Sequence, residues 1–251
     1  MRFAISLLLI SLICSPIQAQ TKKKRKPQDQ TLQTIQTQQQ QIISQLNDIK
    51  QLLATAMGGA PQPTPPSQLS VGNQNFRGDG NAPVAIIEYA DFECPYCGEY
   101  EREVYPQLSR DYIETGKVKY FYRDMPLPIH SHSMIAARAA RCAGEQGKFW
   151  EMHDSLFAKQ NAIRDVDMPG RAQELGLDGR KFSECLSSDR YTDELKRSAN
   201  EAQKMGVDGT PGFFIGTAGP DGKVTNLKMI LGMRPYEAFK SAIDDTLAAK
   251  K

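Results

Sequence analysis

The sequence predicts an α/β protein that carries an inserted helical domain and is preceded by an N-terminal coiled-coil-like helix. An apolar, β-branched run at residues 84–89 is followed by a helical stretch at about 95–115 and a second such run at 118–122. This β-α-β pattern implies two parallel strands joined by a crossover helix. Helical stretches then fill residues 133–205 before two more strand patterns and a last helix, so the helical block is an insertion within one α/β domain.

The composition fits a soluble globular core. Of 251 residues, 40% are hydrophobic and 24% charged, a balance that excludes collagen, a polytopic membrane protein and a wholly disordered chain. The formal net charge is +2, but residues 1–70 hold seven of the 31 cationic residues and only two of the 29 acidic ones. The remainder therefore has a net charge of −3, which argues against nucleic-acid binding.

Residues 1–19 have the pattern of a secretion signal peptide. Arg2 provides a positive start, residues 3–13 form an apolar run too short to span a bilayer comfortably, and cleavage after Ala19 is preferred. We therefore expect an exported protein, periplasmic or otherwise extracytoplasmic after cleavage. An uncleaved anchor, or a lipid anchor at Cys14, is the alternative.

Residues 20–30 contain a run of five cations and predict a basic, disordered leader. Attraction of this run to an anionic membrane surface or to cell-wall polymer is the alternative. Residues 58–70 are rich in proline and predict a linker.

Residues 31–57 predict an oligomerisation helix between the leader and the linker. Its heptad pattern has apolar residues and one glutamine at the core positions. These residues are Leu32, Gln39, Leu46 and Leu53 at position a, and Ile35, Ile42 and Ile49 at position d. A single helix of this length would be marginal in water. Leu at a with Ile at d favours three or four helices, so we expect a homo-oligomer, a trimer or tetramer. A Gln-rich disordered tail and a helix packed back onto the body are the alternatives.

The body is predicted to cover residues 71–251, with the helical insertion at about 130–205. Gly116 ends the crossover helix, and Pro235 opens the C-terminal helix that ends near residue 248. The other predicted elements are helices at 133–146, 149–158, 168–175, 180–186 and 190–205, and strands at 213–215 and 225–230 around a turn at 219–222.

The motif Cys94-Pro95-Tyr96-Cys97 lies where the first buried strand gives way to a helix. With Cys94 as the N-cap and Pro95 at the first helical position, Cys97 lies one turn on and on the same face. The unpaired N–H groups and the positive dipole end of the helix favour a thiolate, so the pKa of Cys94 should be lowered. Cys94 is thus predicted to be the exposed attacking sulfur and Cys97 the shielded resolving sulfur.

Three other interpretations of this cysteine pair compete. A structural zinc site needs a second ligand pair, but His130, His132 and His153 are not spaced with the remaining cysteines as in a usual zinc finger. An inert structural disulfide would close so short a loop that it restrains little chain. A c-type haem site needs a histidine after Cys97, where Gly98 stands. The redox interpretation is preferred, and neither a metal nor a cofactor is expected.

These features together resemble the DsbA-like thioredoxin-fold thiol–disulfide oxidoreductases. The resemblance covers residues 71–251 and rests on the strand that ends in Cys-Pro-Tyr-Cys, the helical block, and Thr210-Pro211 before a strand. It implies a thioredoxin fold in which Cys94 is the nucleophile and Cys97 the resolving cysteine. It also implies that Pro211 is a cis-proline facing the active site, with Thr210 shaping the contact with substrate.

The same resemblance gives roles to the residues around the cysteines. Glu88, six residues before Cys94, matches the buried acid that in this family assists proton transfer at the resolving cysteine. A carboxyl at the end of an apolar strand should have a raised pKa and could take a proton from Cys97; an acid that reaches solvent is the alternative. Pro95 and Tyr96 modulate the site. Oxidising DsbA proteins often have Pro-His at these two positions. With Tyr96 in place of that histidine, the site lacks one positive group beside the thiolate.

Cys142 and Cys185 are the remaining cysteines of the mature chain. An even number of cysteines in an oxidising compartment favours a structural disulfide between these two, which would pin two helices of the insertion. Two buried free thiols are the alternative.

The leading functional hypothesis is thiol–disulfide exchange on unfolded or misoxidised exported proteins, as a dithiol oxidase or a disulfide isomerase. By the resemblance, an oxidase would be recharged by a membrane redox partner protein, whereas an isomerase would be kept reduced. The N-terminal helix is similar to the plan of dimeric and trimeric isomerases in the wider superfamily. An oligomeric chaperone or adaptor module with a vestigial or structural CxxC is the alternative, which the intact cysteine pair argues against.

Overall fold

The structure, a computed structural model, describes residues 38, 42, 45, 49, 65–72 and 76–249. The predicted signal peptide (1–19) and basic leader (20–30) lie outside the described residues, as do most of the predicted oligomerisation helix and linker. Within the predicted oligomerisation helix, the four described residues are helical and exposed. Among the helices that the structure describes, none is both long and apolar enough to cross a bilayer.

A mixed sheet of six strands forms the centre of residues 65–249. Its strands are β1 (Gln68–Ser70), β2 (Phe76–Arg77), β3 (Val84–Ala90), β4 (Val118–Asp124), β5 (Gly212–Ala218) and β6 (Lys223–Leu231). Their order in the sheet is β1-β6-β5-β3-β4-β2. The pair β3–β4 is parallel and the other pairs are antiparallel, which confirms the predicted β-α-β unit and the α/β fold class.

Eight α-helices surround the sheet in the described part of the chain. They are α1 (Pro95–Glu103), α2 (Tyr105–Leu108), α3 (Ser133–Gly144), α4 (Phe149–Ala158), α5 (Met168–Glu174), α6 (Gly179–Ser187), α7 (Thr192–Lys204) and α8 (Tyr236–Ala248). Helices α3 to α7 lie between β4 and β5 in the chain, so the helical block is an insertion, as predicted.

The crossover between β3 and β4 differs from its prediction. A single helix was expected over residues 95–115, but α1 ends at its C-cap Val104 and a separate short helix follows. Pro106 explains the break, because it has no N–H for the intrahelical bond and its ring crowds the preceding turn. A π-helical turn (Ser109–Ile113) then leads to Gly116, whose φ of +73° closes the crossover as predicted.

The predicted linker also extends too far toward the C-terminus, because it overlaps the first strand of the sheet. It was expected to extend to residue 70, but Gln68–Ser70 forms β1 and pairs antiparallel with residues 223–225 of β6. Leu69 and Val71 are buried against the sheet, and this apolar burial holds the short strand in place. The domain therefore begins before residue 71.

Every residue of β3 is buried, because both faces of the sheet are covered. On one face Ile86 packs with Tyr100 of α1 and Phe239 of α8. On the other face Ile87 packs with Ala202 of α7. A third cluster lies within the helical insertion and includes both Cys94 and Cys97. The end of β3 is thus the place where the sheet meets the insertion.

Candidate active site

Cys94 and Cys97 lie at the N-terminus of α1, directly after β3. Cys94 is the N-cap with extended backbone angles (φ −68°, ψ 120°), and Pro95 occupies the first helical turn, as the sequence predicts. Both cysteines are free thiols. Cys94 is 4% exposed and Cys97 fully buried, so the predicted order of access holds, but the expectation of an exposed Cys94 is wrong. Pro95 and Tyr96 are instead the exposed residues of the motif.

The environments of the two sulfurs move their pKa values in opposite directions. A hydrogen bond from the Cys97 thiol lowers the pKa of Cys94 to about 6, opposed by burial and assisted by Thr210 and the backbone N–H groups of Tyr96 and Cys97. Burial raises the pKa of Cys97 well above its usual range. Sequence reasoning anticipated the helix N–H groups, but not that the Cys97 thiol would have the largest effect. At neutral pH Cys94 is therefore the thiolate and Cys97 the protonated thiol.

The loop before β5 contacts the first cysteine. The peptide bond between Thr210 and Pro211 is cis. The Thr210 carbonyl oxygen lies 3.2 Å from Cys94 Sγ and accepts a hydrogen bond from Cys94 when that cysteine is protonated. The antiparallel pairing of β5 with β3, which sets Gly212 opposite Tyr89, brings this loop beside the cysteines.

Glu88 is fully buried in β3, on the face that also holds Tyr120 and Tyr100. Burial is the main cause that raises its pKa to about 8, and the charge of Cys94 raises it further. The Tyr120 hydroxyl donates a hydrogen bond to Glu88 Oε2, which opposes the rise. Within the described residues, Oε1 has no hydrogen-bond partner. A side chain that reaches solvent is therefore excluded, and the carboxyl holds a proton near neutral pH.

Sequence reasoning missed the side chains that fix the loop before the motif. Asp91 Oδ2 accepts hydrogen bonds from the Leu127 N–H at 2.8 Å and from His130 Nδ1 at 2.9 Å. Glu93 Oε2 accepts one from the N–H of His132, the N-cap of α3. These contacts join residues more than 30 positions apart, so no local pattern in the sequence indicates them.

A second missed contact comes from the helical insertion. Gln160 Nε2 lies 2.7 Å from the carbonyl oxygen of Cys94 and 2.9 Å from that of Phe92. Phe92 itself stacks on Tyr122, with ring centroids 5.0 Å apart. The cysteine loop is thus held by the insertion as well as by the sheet.

Cys142 of α3 and Cys185 of α6 form a disulfide that joins two helices of the insertion. In the part of the chain that the structure describes, no group of His, Cys, Asp and Glu side chains is arranged to hold a metal ion. His153, considered above as a zinc ligand, is buried among aromatic rings, and its Nδ1 bonds Asp154.

A dithiol at a helix N-terminus, at the end of a central strand and beside a cis-proline loop, defines the class of thioredoxin-fold thiol–disulfide oxidoreductases. The comparisons with known proteins agree with this class. The model of a family described as thioredoxin matches residues 70–245. The chain therefore belongs to the thioredoxin family, and its inserted helical domain makes it DsbA-like.

Two curated relatives have different extents of similarity. The chain is 41% identical over 142 residues to Na(+)/H(+) antiporter NhaA 3 of Salinispora tropica, which covers 56% of this chain and 21% of the antiporter. It thus spans about a fifth of the length of that relative. It is 25% identical over 194 residues to Disulfide bond formation protein D of Bacillus subtilis, which covers 73% of this chain and 81% of that protein.

Among solved structures, α-DsbA1 of Wolbachia pipientis has a similar fold. The TM-score is 0.64 at 24% identity, and the match covers 72% of this chain and 94% of that one. This likeness supports the fold.

Proposed function

We propose that this protein is an exported thiol–disulfide oxidoreductase that acts on cysteines of unfolded or misoxidised exported proteins through Cys94 and Cys97. One arrangement carries the proposal: two free thiols lie at the N-terminus of a helix beside a cis-proline loop, and their surroundings move their pKa values in opposite directions. A low pKa makes Cys94 both a thiolate at neutral pH and a good leaving group, the two properties that exchange requires of the first cysteine.

In the oxidising direction the chemistry proceeds in two displacements. A substrate thiolate attacks Sγ of Cys94 in the oxidised pair, so that a mixed disulfide forms and the Cys94–Cys97 bond breaks. The Cys97 thiolate that leaves takes a proton from Glu88. A second substrate thiolate then attacks the substrate sulfur of the mixed disulfide and releases the Cys94 thiolate. The substrate dithiol loses two electrons, which the cysteine pair gains.

The reverse direction uses the same groups. The Cys94 thiolate attacks a substrate disulfide, and Cys97 must then lose its proton to attack Cys94 of the mixed disulfide. Glu88 in its carboxylate form is the base that the site provides, since it is buried in the strand that leads to the motif and its charge raises the pKa of Cys97.

The lowered pKa of Cys94 favours oxidation of substrates over their reduction. Whatever stabilises the Cys94 thiolate stabilises the reduced form of the pair, so the disulfide becomes a stronger oxidant. An oxidase must be recharged after each cycle, and we assign this to a membrane redox partner protein that accepts two electrons from Cys94 and Cys97. Export through the signal at residues 1–19 would place the protein in a periplasmic or other extracytoplasmic compartment, where such chemistry persists.

Disulfide isomerisation is the second candidate, and the predicted N-terminal helix favours it. Ile42 and Ile49 lie one heptad apart at d positions, are helical, and are 55% and 52% exposed in the single chain. Association of three or four copies through this face would bury these side chains. The predicted linker would then hold several dithiols within reach of one substrate molecule, which benefits repeated exchange.

Ribonuclease substrates separate the two directions. We expect the mature full-length protein, residues 20–251, to oxidise reduced ribonuclease and also to reactivate scrambled ribonuclease. Removal of residues 20–64 should give a monomer in sedimentation equilibrium. This monomer should keep its rate of dithiol oxidation, because β1 and the whole described domain are retained. It should lose most of its ability to reactivate scrambled ribonuclease. A full-length monomer at micromolar concentration would contradict the oligomer. Absence of both activities would support the chaperone or adaptor alternative.

A further inference from the structure

Gln160 is the residue of the helical insertion that reaches the backbone of the cysteine motif. It opens a short 3-10 turn (Gln160–Ala162) directly after α4. Its side-chain nitrogen contacts two carbonyl oxygens, those of Cys94 at 2.7 Å and Phe92 at 2.9 Å. A primary amide nitrogen has two N–H donors, so both are used on this one loop, and the contacts fix which end of the amide faces it.

Gly98 provides the space in which this side chain lies. A Cβ on Gly98 would be 2.1 Å from Gln160 Oε1 and 2.8 Å from Gln160 Cδ, so the Gln160 side chain would have to leave its position beside the cysteine loop. Gly98 is a buried residue in the first turn of α1, and its backbone does not have a positive φ. The backbone conformation at residue 98 therefore does not require glycine, which is unfavourable inside a helix. What a Cβ at residue 98 would disturb is the present position of the Gln160 side chain.

The Cys94 carbonyl is consequently held from two directions. The N–H of Gly98 donates to it at 3.1 Å as the first hydrogen bond of α1, and Gln160 donates from the insertion. This peptide group sets where Cys94 Sγ lies relative to the N–H groups of Tyr96 and Cys97, which favour the thiolate. A Cβ on Gly98 would also lie 3.0 Å from Nη1 of Arg102, which is on the same helix.

We propose that Gln160 is a positioning residue of the dithiol site, which holds the carbonyl oxygens of Phe92 and Cys94, and that Gly98 is glycine in order to admit it. The inference deepens the proposed function, because it makes the helical insertion a regulator of Cys94 reactivity. It acts through the backbone of Cys94 and does not involve contact with substrate.

The test measures the Cys94 thiolate by its ultraviolet absorbance during pH titration of the reduced full-length protein. Gln160→Met keeps the length of the side chain but removes both donors, and it should raise the pKa of Cys94 by about half a unit or more. Asn161→Ala, the next residue in the same turn and an exposed one, is the matched control and should leave the midpoint unchanged. Near-ultraviolet circular dichroism checks that each variant is folded.

A double-mutant cycle with Gly98→Ala gives the sharper result. In the wild-type background the new Cβ displaces Gln160, so the pKa of Cys94 should rise as in Gln160→Met and the melting temperature should fall. In the Gln160→Ala background, Gly98→Ala should give the same pKa of Cys94 as Gln160→Ala alone. It should also raise the melting temperature, because alanine favours the helix. Independent, additive effects of the two substitutions, or a Cys94 pKa within error of wild type in Gln160→Met, would overturn the proposal. Neither the pKa of Cys94 nor the melting temperature depends on enzymatic activity. Failure of this proposal can therefore be distinguished from failure of the proposed function.

Discussion

Replacement of Cys97 by serine is expected to convert the protein into a trap for mixed disulfides, whereas Cys94→Ser abolishes exchange. Cys97 is fully buried and protonated at neutral pH, whereas Cys94 has its pKa lowered to about 6 and contacts the loop at Thr210. A substrate sulfur joined to Cys94 therefore has no internal thiol to release it when Cys97 is absent. The adducts should accumulate on thiol-trapping gels of whole cells and disappear on reduction.

The matched control is the double variant Cys94→Ser with Cys97→Ser, which should form no adduct. The structural disulfide Cys142–Cys185 remains in all variants and should be blocked to alkylation without reductant. Equal adduct yields from Cys94→Ser and Cys97→Ser would contradict the assignment of the attacking sulfur.

Replacement of Glu88 by glutamine is expected to stabilise the protein and slow it at the same time. The pKa of Glu88 is about 8 in the folded protein, against 4.5 for the free group. The folded state thus binds the proton more tightly, so the free energy of unfolding falls as pH rises from about 4.5 to about 8 and is level above that range. Glu88→Gln removes this dependence. At about pH 7 the gain should be roughly 2–3 kcal/mol, after allowance for a buried amide group without a full set of partners.

The kinetic effect has the opposite sign. Without a carboxylate to take its proton, Cys97 should attack the mixed disulfide more slowly, by about a hundredfold or more for loss of a general base. The deficit should shrink at high pH, where hydroxide replaces the missing base. Urea unfolding across pH and stopped-flow reduction of a model disulfide measure the two effects. Tyr120→Phe is the control that keeps the carboxyl but removes its hydrogen bond, and it should raise the pKa of Glu88 further. A wild-type stability that is level between about pH 5 and 8 would contradict the assignment.

The parts of this fold that sequence predicts are those with a strong local pattern. The β-branched run of β3, the glycine at 116 and the turn at 219–222 before β6 act over a few residues, and each element lies where it was expected. The cysteine motif is predictable for the same reason, because N-cap position, proline and spacing are all local.

Other features depend on the tertiary structure. The two-residue strand β2 is too short to show alternation, and it exists because Phe76 pairs with Phe121 across the edge of β4. The hydrogen bond of His130 with Asp91 and that of Gln160 with Cys94 span 39 and 66 positions. The near-complete burial of Cys94 likewise depends on the Thr210 loop, which is distant in sequence. Only the folded arrangement brings these groups together.

The equilibrium between the Cys94–Cys97 pair and glutathione measures the oxidising strength of the proposed site. Cys94 has a pKa of about 6, between the values of about 7 for thioredoxin and about 3.5 for DsbA. We therefore expect a reversible two-electron couple with a potential between about −270 mV and about −120 mV, the values of those two proteins. Two results would contradict this expectation. One is a failure of oxidised glutathione to convert the Cys94–Cys97 pair to its disulfide, and the other is a potential more negative than that of thioredoxin.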